Sequence, residues 1–225
     1  MAEGAAGAAI AGRYRFEREL GRGAHGRVLL VRDAVSGDRR ALKLVSHAAE
    51  EQVRAEFALL SRIEQPNLAR VLELLRLPEA VPALRLSRGS LALVEEYVPG
   101  VSADRAMQLR AAGREAQPLK LALRLLDRTA RALCAIHAHG FVHGDVKPQN
   151  LIVPEAGAEP KLIDLGLSRP PGFEERPSGT PEFMAPELFR GELSPAADVY
   201  ALGVSVWRLL APRTPAPAGD SAAEL

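Results

Sequence analysis

A chain of 225 residues with 47% hydrophobic and 25% charged side chains has the composition of a folded globular protein, not of a disordered or fibrous one. Its formal net charge of +1 gives no reason to expect nucleic acid or an anionic membrane as the main partner. No apolar run is long enough to span a bilayer, and the single cysteine excludes an internal disulfide framework, which favours a cytoplasmic location.

The first part of the chain predicts a leader followed by a sheet. Residues 1–13 are rich in Ala and Gly and lack the basic segment of a signal peptide, so we expect a disordered leader. A helical repeat of apolar residues over 50–63 predicts one helix, with Glu56 facing the body of the protein. Short apolar runs broken by turn residues predict five strands, over 14–20, 28–31, 41–45, 71–77 and 90–96.

After Gly100 the pattern becomes mainly helical. Apolar periodicity predicts a short helix over 103–112 and a long one over 119–139. Ser194 and Pro195 suit the N-cap and first position of a last helix, which is apolar on nearly all sides, as buried helices are. We expect an α+β chain of two lobes: 14–97, a five-stranded antiparallel sheet with one helix, and 98–210, mainly helical, before a Pro/Ala-rich tail over 211–225.

A glycine-rich turn follows the first predicted strand. Gly21, Gly23 and Gly26, with Val28 two residues further on, would let backbone N–H groups approach phosphates without interference from a Cβ atom. The spacing alone is weak, since dinucleotide-binding folds and ordinary turns also contain it. Here a strand follows the turn instead of a helix, which disfavours the dinucleotide interpretation.

Lys43 on the third predicted strand and Glu56 on the following helix form a second candidate pair. A buried lysine near phosphates needs a carboxylate to hold it, although the two residues could also be ordinary surface charges. Only four of the 29 basic residues are lysines, and two of these are Lys43 and Lys147. Because a lysine is a compact point charge and an arginine is a planar fork, this choice favours a chemical role.

Residues 143–150, His-Gly-Asp-Val-Lys-Pro-Gln-Asn, place an acid, a cation and a carboxamide in one turn. The Asp145 carboxylate could accept a proton from a hydroxyl nucleophile, and Asn150 could offer an oxygen to a metal. Asp164, at the end of a later strand, is a candidate magnesium ligand. Each motif alone could be a surface turn, but the occurrence of all four in this order disfavours that interpretation.

These motifs, in this order, resemble the eukaryotic-type (Hanks-type) Ser/Thr protein kinases, and the bacterial members in particular, from about Tyr14 to Leu210. The resemblance implies transfer of the ATP γ-phosphate to a Ser/Thr hydroxyl of a protein substrate, with Mg²⁺. It implies that Lys43 binds the α/β-phosphates and pairs with Glu56. The nucleotide-binding residues it implies are Gly21, Gly23, Gly26, Val28, Ala41, Lys43, Glu96, Val98 and Ile152.

The same resemblance implies that Asp145 is the catalytic base, that Lys147 neutralises the γ-phosphate and that Asn150 and Asp164 hold Mg²⁺. Residues 179–187 resemble the segment of the family that docks substrate and ends in Ala-Pro-Glu. Thr180, placed to contact Lys147, is typical of Ser/Thr kinases rather than tyrosine kinases. Asp198 and Gly203 match the start of the helix that anchors the catalytic loop.

The chain departs from the family pattern in three places. Gly144 replaces an arginine that normally pairs with a phosphorylated activation loop, so we expect activity that does not depend on such phosphorylation. Leu165 replaces a phenylalanine and keeps apolar volume. The family's last helices are missing, which would expose Val204, Val206, Trp207 and Leu210 unless a partner or a missing segment covers the last helix.

Two other functions remain open at this point. His143-Gly144-Asp145 with Asn150 also suits small-molecule kinases of the aminoglycoside or choline type, although these lack a peptide shelf like 179–187. A pseudokinase or nucleotide-binding regulatory module is the other alternative. The presence of all the reacting residues disfavours it.

Overall fold

The computed structural model describes residues 6–23, 26–47, 50–113, 118–154, 158–165, 168–173 and 179–211. The chain divides into two units, the first formed by Met1–Ile63 and Arg70–Tyr97 and the second by Glu64–Ala69 and Val98–Leu225. The sequence predicts a boundary at 97/98 and does not predict that residues 64–69 separate from the sheet.

Residues 64–69 belong to the second unit because their backbone bonds to it. The Leu162 N–H donates to the Asn67 carbonyl at 2.8 Å, and the Ala69 N–H donates to the Leu162 carbonyl at 2.9 Å. The Asn67 amide also donates to the Pro160 carbonyl at 3.0 Å. The sequence offers only a helix stop at this point, because partners almost a hundred residues away leave no local signal.

The first unit is built on one antiparallel sheet with the strand order β1-β2-β3-β4-β6-β5. A single helix, α1 (Glu50–Leu60), follows β4 in the chain. All five predicted strands are present, so the predicted sheet and helix are confirmed. The strands are β1 (Ala9–Ile10), β2 (Tyr14–Gly23), β3 (Gly26–Asp33), β4 (Arg39–Leu44), β5 (Val71–Arg76) and β6 (Leu91–Glu96).

One face of this sheet is apolar because alternate residues of a strand point to the same side. Burying each large aliphatic or aromatic side chain stabilises the fold by about 1.5–3 kcal/mol. The cluster on this face, which also takes residues from the loop between β5 and β6, consists of Ile10, Tyr14, Phe16, Leu29, Val31, Leu42, Leu77, Val81, Leu84, Leu86, Ala92 and Val94.

The predicted disordered leader is wrong for residues 6–13. Ala9 and Ile10 form β1 and pair with Arg15 and Tyr14 of β2. The Phe16 N–H donates to the Ala8 carbonyl at 2.9 Å. The Ile10 side chain is 0% exposed, because it packs in the apolar cluster. A segment of Ala and Gly with one isoleucine carries no alternation from which a strand could be predicted.

A charged cluster joins β2, β3 and β5 at the edge of the apolar face. Arg13 donates from Nε and Nη2 to the two carboxylate oxygens of Asp33, at 2.9 and 2.6 Å. This pairing holds the pKa of Asp33 well below its usual range. The Tyr14 hydroxyl donates to Glu73 Oε2 at 2.7 Å, and burial, followed by this bond, raises the pKa of Tyr14.

The second unit contains three helices: α2 (Ala103–Gly113), α3 (Pro118–Ala138) and α4 (Pro195–Leu210). They agree with the predicted helices to within one or two residues at each end, and α3 packs against α4. None of the helices in the described ranges is both long and apolar enough to cross a membrane. The strands form a three-stranded sheet, β7 (Gly100–Ser102), β8 (Leu151–Pro154) and β9 (Lys161–Leu162), and a pair, β10 (Gly172–Phe173) and β11 (Glu192–Leu193).

The apolar repeat that predicts α3, made up of Leu119, Leu123, Leu126, Ala130, Leu133 and His137, gives the wrong face in its first half. Leu119, Leu123 and Leu126 are exposed, whereas Leu133 is buried as expected. Cys134, which we expect from the sequence to pack in the interior, is also exposed. Because α3 carries leucines on opposite sides, helical periodicity fits two faces and cannot choose between them. The buried face is formed by Leu121, Ala122, Leu125, Thr129, Ala132, Leu133 and Ile136.

The last helix, α4, exposes part of the surface that the sequence predicts. Trp207 and Leu210 are 53% and 46% exposed, and Val206 is partly buried. Val204, in contrast, is buried, because it lies on the inner face of the helix one turn after Ala201. The prediction of an exposed patch is therefore confirmed for Trp207 and Leu210 and wrong for Val204.

Candidate active site

The segment 143–150 is held at both ends by backbone pairing within the second unit. At its start, Val142 and Arg169 exchange hydrogen bonds, N–H to carbonyl, at 2.8 and 3.0 Å. At its end, Pro148–Asn150 form a 3-10 turn that leads into β8. Val142 is completely buried in a cluster with Met184, so the segment begins from a fixed point.

Three predicted catalytic residues meet in a closed ring of hydrogen bonds. Lys147 Nζ donates to Asp145 Oδ2 at 2.6 Å and to Thr180 Oγ1 at 2.8 Å. The Thr180 hydroxyl donates in turn to Asp145 Oδ1 at 2.8 Å. The Asp145 and Lys147 side chains are 5% and 20% exposed. Both oxygens of one nearly buried carboxylate are therefore fixed by donors, as buried charges require.

Asn150 adds a further donor to Asp145. Its Nδ2 donates to the Asp145 carbonyl at 2.8 Å and lies 3.4 Å from the carboxylate oxygen Oδ2. Within the described ranges no residue donates to the Asn150 side-chain oxygen, so that oxygen can serve as a ligand. The Ile163 N–H bonds the Asn150 backbone carbonyl at 2.9 Å.

Asp164 follows β9 and lies at the same end of the β8–β9 pair as Asn150. Leu151 and Leu162 are paired across the two strands, which brings the residues just outside them together. Asp164 has φ +68°, in the left-handed region that Asp and Asn enter more readily than most side chains. The structure thus brings Asn150, just before β8, and Asp164, just after β9, to the same end of this strand pair, and Asn150 bonds Asp145.

A buried carboxylate on α4 holds the start of the segment 143–150 through its backbone N–H groups. Asp198 is 1% exposed. Its Oδ1 accepts the Gly144 N–H at 2.9 Å, and its Oδ2 accepts the His143 N–H and a nitrogen of His137, both at 2.8 Å. The family resemblance implies that α4 anchors this segment, but nothing in the sequence indicates that His137 takes part. No local signal could reveal a bond across 61 residues.

His143 links this segment to the strand that precedes Asp164. Its Nε2 donates to the Ile163 carbonyl at 3.2 Å, and its Nδ1 accepts the Asp145 N–H at 3.3 Å. These two bonds fix the ring in the tautomer that carries its proton on Nε2. The backbone just before Asp145 is therefore held by Asp198 of α4, and the Asp145 N–H by the His143 ring, which itself bonds Ile163 just after β9.

Gly179 lets the Thr180 segment approach closely. Its φ of +138° is unfavourable for any residue with a side chain, and a Cβ atom there would lie 2.9 Å from the Gly144 carbonyl oxygen. Gly144 itself has φ +77°. A glycine at 179 is thus required for the Thr180 hydroxyl to reach Asp145.

The predicted glycine turn of the first unit is a hairpin between β2 and β3. Gly21 pairs with Val28, and Gly23 pairs with Gly26. Gly26 has φ +114°, and a Cβ atom there would lie 2.6 Å from the Leu44 carbonyl oxygen. Residues 24 and 25, at the tip, lie outside the described residues.

Lys43 is buried on β4, opposite Val28 on one side and Leu93 on the other. Ala41 lies on the same face, two residues earlier on the strand. Glu56 belongs to α1, but its side chain lies outside the described part of the structure. The pairing of Lys43 with Glu56 therefore stays a prediction.

The remaining predicted nucleotide-binding residues occupy strand ends. Glu96 ends β6, where it bonds Arg70 through its N–H at 2.9 Å and through its carboxylate at 3.3 Å. Val98 is a buried residue of the second unit. Ile152 lies on β8, paired with Ser102 and Lys161.

A family model described as "Protein kinase domain" matches residues 14–224. The chain belongs to the protein kinase family. This confirms the resemblance to Hanks-type Ser/Thr protein kinases, which rests on motifs in the same order along nearly the whole chain.

Known proteins similar to this kinase domain come from plants and bacteria. It is 32% identical to CBL-interacting protein kinase 25 of Oryza sativa subsp. japonica over 91% of its own length and 41% of that protein. It is 31% identical to serine/threonine-protein kinase pkn2 of Myxococcus xanthus, over 91% of its own length and 25% of that protein. The kinase domain thus spans well under half of the length of these relatives.

Solved structures agree with the fold. The kinase domain of Mycobacterium tuberculosis PknI superposes with a TM-score of 0.71 at 26% identity, covering 96% of this chain and 80% of that one. The bilobal kinase-like fold expected from the sequence is confirmed, and so is the class, a Ser/Thr protein kinase domain. The comparisons do not favour the alternative of a non-catalytic regulatory module.

The departures from the family pattern can be located in the kinase domain. Gly144 presents only backbone, and its N–H is bonded to Asp198. Leu165 is 2% exposed, in agreement with a position that needs apolar volume.

Proposed function

We propose that this kinase domain transfers the γ-phosphoryl group of ATP to serine or threonine hydroxyls of protein substrates. The observation that carries the proposal is the Asp145 carboxylate, held by Lys147 and Thr180 in a nearly buried ring of short hydrogen bonds. A carboxylate fixed in this way cannot rotate away from an approaching hydroxyl. Positioning of this kind provides much of the catalysis in phosphoryl transfer.

Asp145 would accept the hydrogen bond of the substrate hydroxyl and take its proton as the new bond forms. Lys147 has three N–H donors and uses two, on Asp145 and Thr180. Among the described residues the third has no acceptor, so it can donate to an oxygen of the γ-phosphate. Thr180 sets the direction of both groups through its single hydroxyl.

The residues near Asp145 fit a magnesium ion. Mg²⁺ prefers oxygen ligands and is usually held by one or two carboxylates together with substrate phosphates. The Asn150 side-chain oxygen accepts no hydrogen bond in the described ranges, and Asp164 supplies a carboxylate from the same end of β8–β9. When bound there, Mg²⁺ would neutralise charge on the phosphates of ATP.

The first unit would bind the nucleotide through its hairpin and β4. The missing side chain at Gly26 lets β3 pass close to the Leu44 carbonyl, and the family resemblance assigns the phosphates to the turn between β2 and β3. Lys43 is buried and would contact the α/β-phosphates, held by Glu56. The base would contact Val28, Ala41 and Ile152 and bond the Glu96 carbonyl and Val98 N–H; these roles rest on the family resemblance.

The test is transfer of labelled phosphate from Mg-ATP to a generic protein acceptor, followed by identification of the phosphorylated amino acid. Transfer to Ser or Thr should disappear in Asp145→Asn and in Lys43→Met. Asp127→Asn is the matched control, because Asp127 is an exposed α3 carboxylate that bonds Arg131. Transfer by Asp145→Asn at the normal rate, or nucleotide binding without transfer by the unaltered chain, would contradict the proposal.

Activity should not depend on phosphorylation of the loop before residue 179. Gly144 has no side chain to pair with a phosphate, whereas the family pattern has an arginine there. Ser178→Ala should therefore leave the transfer rate within about twofold of normal, measured in the same assay. A loss of more than tenfold would show that this loop needs a phosphate after all.

The cytoplasmic location expected from the single cysteine is a separate proposal.

We also propose that a further segment or a partner covers the exposed face of α4. Val199, Gly203, Trp207 and Leu210 recur at helical spacing on one exposed face. Glu187 makes no ion pair with any described residue, which leaves it available to a cation on such a segment. Trp207 is the single tryptophan. Its fluorescence should be quenched readily by acrylamide in this chain, and weak quenching would contradict the proposed open face.

A further inference from the structure

Four exposed arginines line one face of the first unit's sheet. Arg15 on β2 pairs with Arg32 on β3, and Arg32 pairs with Arg39 on β4, so three of them lie side by side across neighbouring strands. The fourth, Arg18, is paired with Leu30, two residues from Arg32. All four are exposed. We call Arg15, Arg18, Arg32 and Arg39 the arginine row.

A bulge in β2 brings Arg18 to the same side as Arg15. Phe16 pairs with Val31 and Arg18 with Leu30, so Glu17 is an extra residue without its own partner. A bulge of this kind shifts the alternation of the strand by one residue. Phe16 and Val31 point into the apolar cluster, and the arginine row therefore lies on the opposite face.

The row is short of negative charge. Like charges directly opposite each other on neighbouring strands are destabilising. One carboxylate offsets two of the four: Glu17 holds Arg32 and Arg39, each at 2.8 Å. Arg15 and Arg18 make no hydrogen bond or ion pair with any residue in the described part of the chain.

Other arginines of this sheet are neutralised locally. Arg13 pairs with Asp33, Arg40 with Asp38, and Arg27 with Glu19. The pKa of Glu19 is lowered by Arg27 and then by Arg22. The lack of partners for Arg15 and Arg18 is thus a property of the row and not of the whole sheet.

Glu17 shows what kind of group the row accepts. Its two oxygens are shared between the guanidinium groups of Arg32 and Arg39, on neighbouring strands. Neighbouring strands lie about 4.8 Å apart. Guanidinium groups on such strands can therefore share the three oxygens of one phosphate group in the same way. We propose that the arginine row binds a phosphorylated side chain of a peptide, with Arg15 and Arg18 as its main donors.

Nucleic acid and membrane fit the row less well. The net charge of the chain is only +1, and the aromatic side chains of β2, Tyr14 and Phe16, are buried, so this described strand offers the bases of a nucleic acid no exposed ring on which to stack. Exposed Val35, in the turn between β3 and β4, is a single apolar residue, too little for insertion into a bilayer. A short row of guanidinium groups suits one compact anion that carries more than one negative charge.

The test is binding of a fluorescent Gly/Ser peptide with one phosphoserine to the full chain, by anisotropy without ATP. We expect affinity at least about tenfold higher than for the unphosphorylated peptide, and a loss of about tenfold or more in Arg15→Gln/Arg18→Gln. The matched control is Arg62→Gln/Arg88→Gln, which removes two exposed arginines that pair with no described residue. It should change the affinity by less than twofold.

Glu17→Gln is a second variant with an effect of opposite sign. Removing this carboxylate releases Arg32 and Arg39, so the phosphopeptide should bind several-fold more tightly, a gain that partial unfolding cannot produce. Equal binding of the two peptides, equal loss in the control pair, or weaker binding by Glu17→Gln would overturn the proposal. Stronger binding to single-stranded RNA or to phosphatidylserine vesicles would also overturn it. None of these readouts depends on phosphate transfer.

Discussion

The two units of this kinase domain differ in the partners that hold their carboxylates. In the first unit most ion pairs of the sheet use a guanidinium group that stays in water: the Asp33 carboxylate is 1% exposed, but its partner Arg13 is 43% exposed. In the second unit the carboxylates of Asp145 and Asp198 are buried, and each of their oxygens accepts at least one hydrogen bond.

This difference shows which charges determine position. An exposed ion pair contributes only about 0–1 kcal/mol, so sequence can change there at little cost. A buried carboxylate costs several kcal/mol unless donors surround it, and removing one partner leaves an uncompensated group. Buried charges therefore belong where a group must be held in one place, and here they surround the candidate catalytic aspartate.

The largest predicted effect is that of Asp198→Asn. The substitution turns an acceptor of the His143 and Gly144 N–H groups into an amide that also carries donors, and it should lower the free energy of unfolding by about 3 kcal/mol. Thermal unfolding followed by circular dichroism checks this. Glu192→Gln, at an exposed carboxylate that pairs with Arg190, should change stability by less than about 0.5 kcal/mol. Equal effects of the two would remove the contrast between buried and exposed carboxylates.

Thr180→Val should reduce phosphate transfer by about 10–100-fold and lower the free energy of unfolding by about 1–3 kcal/mol, because Asp145 Oδ1 loses its donor. The substitution keeps the shape of the side chain but removes one bond to Asp145 and one to Lys147, and bonds to charged groups contribute about 1.5–3 kcal/mol each. Thr180→Ser retains the hydroxyl and should keep most of the activity. A steady-state phosphate-transfer assay compares the two variants. Loss of activity in Thr180→Ser but not in Thr180→Val would argue against a role for the Thr180 hydroxyl.

Asp33→Asn should have a smaller effect than Asp198→Asn, about 1–2 kcal/mol at neutral pH: the Asp33 carboxylate is 1% exposed, but its partner Arg13 is 43% exposed and stays solvated. The pKa of Asp33 is lower in the folded chain, so the pair stabilises fully above the unfolded pKa of about 3.9 and less as the pH falls below it. The free energy of unfolding, measured with urea, should therefore fall more between pH 5 and pH 2.5 for the unaltered chain than for Asp33→Asn. Parallel pH profiles would refute the role of this pair.

Much of the fold could be predicted because strong local patterns carry it. The five strands, the glycine turn and the last helix follow from alternation, glycines and a Ser-Pro helix start. β1 could not be predicted, since Ile10 is one apolar residue in an Ala/Gly segment and gains its place only by packing with Tyr14. The face of α3 could not be chosen either, because leucines occur on both sides.

The candidate site was predictable in its members but not in its supports. The spacing of Asp145, Lys147 and Asn150 in one turn, with Thr180 in a later motif, indicates their chemistry. The bond of His137 to Asp198 and the approach of Gly179 to Gly144 depend on long-range packing, and no spacing in the sequence records them.

The most direct measurement is a single-turnover experiment on Asp145→Asn with Mg-ATP and a protein acceptor, together with the nucleotide dissociation constant. If Asp145 acts on the hydroxyl, the transfer rate falls by about 10²–10⁴-fold while nucleotide affinity stays within about twofold. A rate within tenfold of the unaltered chain, with the same nucleotide affinity, would contradict the assignment of Asp145 as the base.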